Sequence, residues 1–168
     1  MTIEEAITTA IEYENRVRDA YREAAGRAEH EGGRKLFEVM AVEEQHHVDF
    51  LNAKLAEWRE SGSVNSEGLK TALPLARIVG AGGPQLETGD SGDVSGAELD
   101  YLRQALQFEQ ETSDFYRTVV GELPEEGQGL FGRFLEIEEG HLALVQAQID
   151  QISGTGYWFD VREFNLEG

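Results

Sequence analysis

The chain repeats itself, and the repeat sets the same acidic and histidine residues into each half. AIEYENRVRDAY at residues 10 to 21 aligns without a gap on ALQFEQETSDFY at 105 to 116, matching Glu14 with Glu109 and Tyr21 with Tyr116. Further on, EEQHH at 43 to 47 aligns on IEEGH at 137 to 141, matching Glu44 with Glu138 and His47 with His141. Each half supplies one Glu and then a Glu-x-x-His, a spacing that puts both side chains on one helix face. Any fold for this chain has to accommodate two copies of that set.

The surrounding residues predict four helices in one all-α domain. The first spans residues 2 to 29, opened by Thr2 with Glu5 in a capping-box pattern and closed near Gly32-Gly33, with Ile3, Ile7, Ala10, Val17, Tyr21 and Ala24 on one stripe. The second runs from about Gly33 to Arg59 with Phe37, Met40 and Leu51 on its stripe, and stops before Ser61-Gly62-Ser63. Ser95, with Glu98 three places on, is expected to cap the third, which carries Leu102, Ala105, Thr112, Tyr116 and Val119. Pro124 is expected to start the fourth, which carries Phe131, Phe134, Val145 and Ile152 and ends at Gly154-Thr155-Gly156. The Gly, Ser and Pro-rich stretch at 61 to 94, with LKTALPLARIV as a possible turn or two of helix, is long for a loop and suits a crossover between two antiparallel helical hairpins. Residues 1 to 156 then form the bundle, and YWFDVREFNLEG at 157 to 168 an aromatic tail, read as a strap on the bundle or on a second subunit, with disorder or a docking peptide as alternatives.

Geometry can be tested from numbering alone, because residues on two antiparallel helices are level when the turn lies midway between them. Glu14 and Glu44 have their midpoint at residue 29, and Glu109 and Glu138 have theirs between 123 and 124, both at predicted turns. Direction can be tested against the stripes. Glu14 falls between Ala10 and Val17, Glu109 between Ala105 and Thr112, Glu44 and His47 between Met40 and Leu51, and Glu138 and His141 between Phe134 and Val145. All six are expected at one height on core-facing stripes.

Four carboxylates in an apolar layer cost several kcal/mol each unless compensated. This reading places no Lys or Arg on the stripes. Two divalent cations would balance four carboxylates, and oxygen with imidazole donors suits iron or manganese better than thiolate-seeking metals. One Glu from each of two helices and Glu-x-x-His from each of two others is a di-metal pattern of helical bundles.

Composition narrows the function classes. A formal net charge of -19, from 33 acids against 14 bases, opposes nucleic-acid binding. The absence of cysteine removes disulfides, thiolate catalysis, iron–sulfur clusters and Cys-ligated zinc. No apolar run reaches the roughly 18 to 20 residues of a membrane span, and the acidic MTIEEAITTAIEYE does not read as a signal peptide, so a cytoplasmic location is expected.

Through AIEYENRVRDAY, MAVEEQHHVDFL, ALQFEQETSDFY and FLEIEEGHLAL, over about residues 2 to 154, the chain resembles the rubrerythrin-like branch of the ferritin-like family. The resemblance implies a ferritin-like four-helix bundle, a homodimer, two iron ions per chain with manganese or zinc as substitutes, and oxidation of the reduced pair by hydrogen peroxide or dioxygen. It implies metal-bridging roles for Glu44 and Glu138, terminal roles for Glu14 and Glu109, one nitrogen ligand each from His47 and His141, and tyrosines behind the ligands at Tyr21 and Tyr116. Two departures stand out. Rubrerythrins carry a Cys-ligated rubredoxin-like domain, which a chain without cysteine cannot form, so electrons must come from an external donor. They also carry a further carboxylate where this chain has Thr112, which counts against efficient peroxidase turnover.

Beside a di-iron peroxidase or ferroxidase stand two other readings, iron binding, storage or delivery without turnover, and hydroxylation of an organic substrate. Tyr21 and Tyr116 read equally as core aromatics or as redox or hydrogen-bonding groups. His46 points about 100° away from His47 and reads as a surface residue, and His30 is given no role. GAGGP at 80 to 84 lacks the Lys-Ser/Thr of a phosphate loop, LETGDSGD at 86 to 93 lacks calcium-loop spacing, and Trp58 and Trp158 read as packing residues.

Overall fold

The structure, a computed structural model, describes residues 1–71, 73 and 96–155. Four long helices hold most of them: α1 (Ile3–Arg27), α2 (Glu31–Ser61), α3 (Gly96–Glu122) and α4 (Glu125–Thr155), with no strand among the described residues. The fold is all-α. No helix among the described residues is long and apolar enough to cross a membrane. Ser95, most of the crossover and the tail lie outside the described residues.

Helix ends follow local chemistry. At α1 the Glu5 amide donates to Thr2 Oγ1 (3.2 Å) and the Thr2 amide donates to the Glu5 carboxylate (2.8 Å), the reciprocal pair of a capping box. The glycine pair expected to separate α1 from α2 lies instead inside the first turn of α2. His30 caps that helix, its Nδ1 accepting from the Gly32 amide at 3.2 Å, so a residue given no role in the sequence satisfies an otherwise orphaned donor. The carboxylate of Glu98 accepts from the His30 amide at 2.8 Å, which ties this turn to the start of α3. α2 stops at Gly62, where a φ of 69° suits glycine and the amide closes on the Trp58 carbonyl. α4 begins at Glu125, one residue after the expected Pro124, whose carbonyl accepts from the Gln128 amide.

α1 packs on α2, α3 on α4, and α1 on α3. The apolar stripes face inward, and they form two clusters. One gathers Val17, Phe37, Met40, Leu102, Val145 and Ile152; the other gathers Ile7, Leu51, Val119, Phe131, Phe134 and Ile137. Each buried Leu or Phe contributes about 1.5–3 kcal/mol, so both clusters help to set the helices around the stripe positions between them. After α2 the chain runs back along the bundle, with Val64 and Leu69 in the second cluster and Leu73 in the first.

Lys54 corrects the expectation that no basic residue shares a stripe. It is buried on α2 two turns beyond His47, but its ammonium donates to Asn65 (3.1 Å) and to Glu57 (2.8 Å), whose carboxylate balances its charge. Where α3 turns into α4, a Cβ on Gly127 would sit 2.8 Å from Leu123 Cδ1 and 2.9 Å from its Cβ, whereas a Cβ on Gly129 would meet nothing within 4 Å. Gly127→Ala is therefore expected to destabilise the protein by about 1–3 kcal/mol through overpacking. Gly129→Ala, relieved of a helical glycine, is expected to stabilise it by up to about 1 kcal/mol, both changes being read from urea titrations.

Candidate metal centre

The six residues singled out by the repeat meet in the interior. Glu14, Glu44, His47, Glu109, Glu138 and His141 each have 0% relative exposure, one residue from α1, two from α2, one from α3 and two from α4. Candidate donor atoms of Glu44, His47, Glu138 and His141 all lie within 4.8 Å of one another. The imidazoles stack, with ring centroids 5.3 Å apart and planes 7° apart, and both turn Nδ1 toward the carboxylates.

The carboxylates divide into two kinds. Glu44 approaches both rings, at 3.0 Å from His47 Nδ1 and 2.9 Å from His141 Nδ1, and Glu138 does the same at 3.3 and 3.6 Å. Glu14 stands beside His47 at 3.3 Å, and Glu109 beside His141 at 3.8 Å. Two carboxylates therefore lie between the imidazoles and one lies at each flank.

Tyrosines link the halves across this layer. Tyr21 on α1 donates its hydroxyl to Glu109 on α3 at 2.5 Å, and Tyr116 on α3 donates to Glu14 on α1. Burial first, and then the facing carboxylates, push both phenols well above their ordinary range, so they remain protonated donors. One oxygen of each flanking Glu is thereby oriented by the opposite half. The other side chains are less well satisfied. Both oxygens of Glu44 and of Glu138, both ring nitrogens of His141, Nε2 of His47 and one oxygen of Glu109 make no hydrogen bond. Apart from His47 Nδ1 and Glu14, which meet hydrogen-bond geometry at 3.3 Å, the close N···O pairs lack hydrogen-bond direction. Buried polar atoms are normally bonded, and a converging set of oxygen and imidazole donors is what a hard or borderline cation requires.

Electrostatics agree with that reading of the atoms. Burial, reinforced by Glu109, raises Glu44 to about 7 although His141 opposes the shift. Burial, then Glu14 and Glu44, hold Glu138 well above the carboxylate range. Burial would lower both histidines, but Glu44 and Glu14 raise His47, and Glu44 and Glu138 raise His141. Burial would also raise Glu14, yet the adjoining His47 and the Tyr116 hydroxyl lower it. Without a cation, the layer holds protons in its place.

The sequence reading missed Glu43. Its carboxylate is 3% exposed, faces His141 Nε2 at 3.7 Å and accepts from the Thr71 hydroxyl. Burial would raise it, but His141 and Thr71 hold it at about 2. A signal was available in the repeat, because Glu43 aligns on Ile137, whose apolar side chain marks the position as inward-facing. Thr112 is fully buried and donates to the Phe108 carbonyl at 2.8 Å, within its own helix. His46 is exposed, and Trp58 packs against the second apolar cluster. No family model, no curated protein and no solved structure matches the chain.

These shifts fix the pH dependence of the metal-free protein. Glu44 titrates near 7 when folded against 4.5 ordinarily, so between those values the folded state holds a proton that the unfolded state has lost, and stability falls as pH rises. The raised histidines act in the same direction, stabilising below their ordinary 6.5 and losing that contribution as pH climbs through their folded values. Glu14 and Glu43 act oppositely, but theirs is a contribution lost below 4.5, toward about 2 for Glu43. Thermal denaturation of chelator-treated protein is expected to give a lower midpoint at about pH 8 than at about pH 5.5, and added divalent metal is expected to raise the midpoint more at the higher pH. A metal-free midpoint that rises across this interval would contradict the assignment.

Proposed function

We propose that the chain is a non-haem di-iron oxidoreductase or ferroxidase of the ferritin-like, rubrerythrin-like kind, a bundle of two antiparallel hairpins in which six residues hold two iron ions. The observation that carries this reading is the division of the buried carboxylates, two between the imidazoles and one at each flank. Glu44 and Glu138 would be shared by the two positions. Glu14 with His47 would complete one, and Glu109 with His141 the other. The reciprocal bonds of Tyr21 to Glu109 and Tyr116 to Glu14 support antiparallel α1 and α3, since each tyrosine lies two turns C-terminal of its own helix's glutamate.

A ferrous pair held there would supply, on becoming ferric, the two electrons needed to reduce one hydrogen peroxide with two protons to two waters. The chain's own part is geometric and electrostatic. Four carboxylates neutralise the added charge, the two imidazoles lend nitrogen donors, and the buried layer keeps bulk water away. Tyr21 and Tyr116 each hold one carboxylate oxygen through a hydroxyl proton, which limits how far Glu109 and Glu14 can swing. Electrons for a second turnover would come from a donor outside these 168 residues, none of which is a cysteine.

Iron binding, storage or delivery without turnover is the second reading. It is favoured by Thr112, whose hydroxyl is engaged in its own helix at the place where rubrerythrins add a carboxylate. Anaerobic addition of ferrous iron, followed by peroxide or dioxygen with absorbance and iron counting, separates the two. Two irons oxidised by either oxidant support the oxidoreductase; two bound and not oxidised favour delivery or storage. Glu44→Ala and Glu138→Ala are each expected to abolish paired binding, while His46→Ala keeps two irons per chain. Equal iron content in all three variants would remove the site assignment.

A further inference from the structure

The two halves match at all six candidate ligands but not behind them. With Nδ1 of each histidine turned toward the carboxylates, Nε2 points the other way, into the protein. Behind His141 stands the buried carboxylate of Glu43, 3.7 Å from Nε2. That carboxylate is itself held by the Thr71 hydroxyl, and Thr71 Oγ1 in turn accepts from the Leu73 amide at 3.2 Å. Among the described residues no carboxylate stands behind His47, whose close carboxylates all lie on the Nδ1 side. Neither Nε2 makes a hydrogen bond, but the His47 ring meets Phe134 edge-on at 5.4 Å between centroids, and the residue that the repeat aligns with Glu43 is the fully buried Ile137.

We propose that Glu43 is a positioning residue for His141, and that it makes the two metal positions unequal, the position of His141 and Glu109 binding a divalent cation more tightly than that of His47 and Glu14. The inference rests on the two-metal reading above. When Nδ1 ligates a cation, the proton of a neutral imidazole resides on Nε2, and a carboxylate there fixes the tautomer and ring orientation and makes the ligating nitrogen more basic. The 3.7 Å separation is about half an ångström beyond a good N–H···O bond, a gap that a small rotation of either side chain closes. Imidazole backed by apolar side chains gains neither effect. Thr71 lies in the segment that follows α2, so that segment has a part in holding the position of His141.

The test is an anaerobic titration with cobalt(II), followed by its visible absorption and by competition with a chelator. Wild-type protein is expected to take up two cobalt ions in two resolved steps. Glu43→Gln, and more strongly Glu43→Leu, is expected to weaken the tighter step by about 10–100-fold and leave the weaker one in place. Single-site backgrounds then separate positioning from general structure. In His47→Ala, adding Glu43→Gln should weaken the remaining site by that same factor; in His141→Ala it should change the remaining site by less than about threefold. Equal losses in both backgrounds, or none in either, would overturn the proposal while leaving the two-metal centre intact. Wild-type uptake of fewer than two cobalt ions would instead defeat the metal reading itself. Should the Glu43 variants fail to fold by circular dichroism, Thr71→Val carries the same test, with a smaller loss expected in the His47→Ala background and none in His141→Ala.

Discussion

Four carboxylates and two imidazoles are sealed from solvent on stripes that otherwise carry mainly Ile, Leu, Val, Phe, Tyr, Met and Ala. Water cannot screen these charges, and the surrounding low dielectric raises both the cost of an unbalanced charge and the worth of a balanced one. Protons can relieve the layer in part, as the raised Glu44, Glu138, His47 and His141 indicate. They leave many oxygens and ring nitrogens without directed hydrogen bonds. Cations placed where those lone pairs converge would answer both deficits together. Folding and metal binding are then linked, the apolar clusters bringing the donors together and the bound charge offsetting what their burial costs.

The same layer ties the two halves of the chain to one another. Each tyrosine serves the glutamate of the opposite half, so neither half completes its own set. Symmetry stops just outside that set. Glu43 aligns on Ile137, Val17 on Thr112, and Lys54 on Gln148. Lys54 reaches Asn65 beyond the end of α2, and Glu43 is held by Thr71, so two of the three departures engage the chain that follows α2. Gln148 is fully buried with its amide unpartnered among the described residues, and nothing in the structure explains it.

Much of this was legible in the residues because two independent periodicities coincide. The helical stripes place Glu14, Glu44, His47, Glu109, Glu138 and His141 inward, and the repeat says that the two halves do so alike. What the residues hid was local competition for donors and charge. His30 looked inert because histidine is an uncommon cap, and the following glycines read as a break although they lie within the first turn of α2. Lys54 was passed over because its long stem lets a charge leave a core stripe. Glu43 sits about 100° from Glu44 around the helix, beyond the stripe that defined the core, and its role depends on Thr71, a residue whose place beside it no periodicity predicts.

The central claim is that two cations share one buried layer between Glu44 and Glu138. Crystals of protein loaded anaerobically with ferrous iron, with diffraction recorded on both sides of the iron absorption edge, would test it most directly. The account predicts two anomalous peaks per chain, about 3.5–4 Å apart, one beside His47 and Glu14 and the other beside His141 and Glu109. A single peak, or iron found on exposed acidic residues with the interior layer empty, would contradict it.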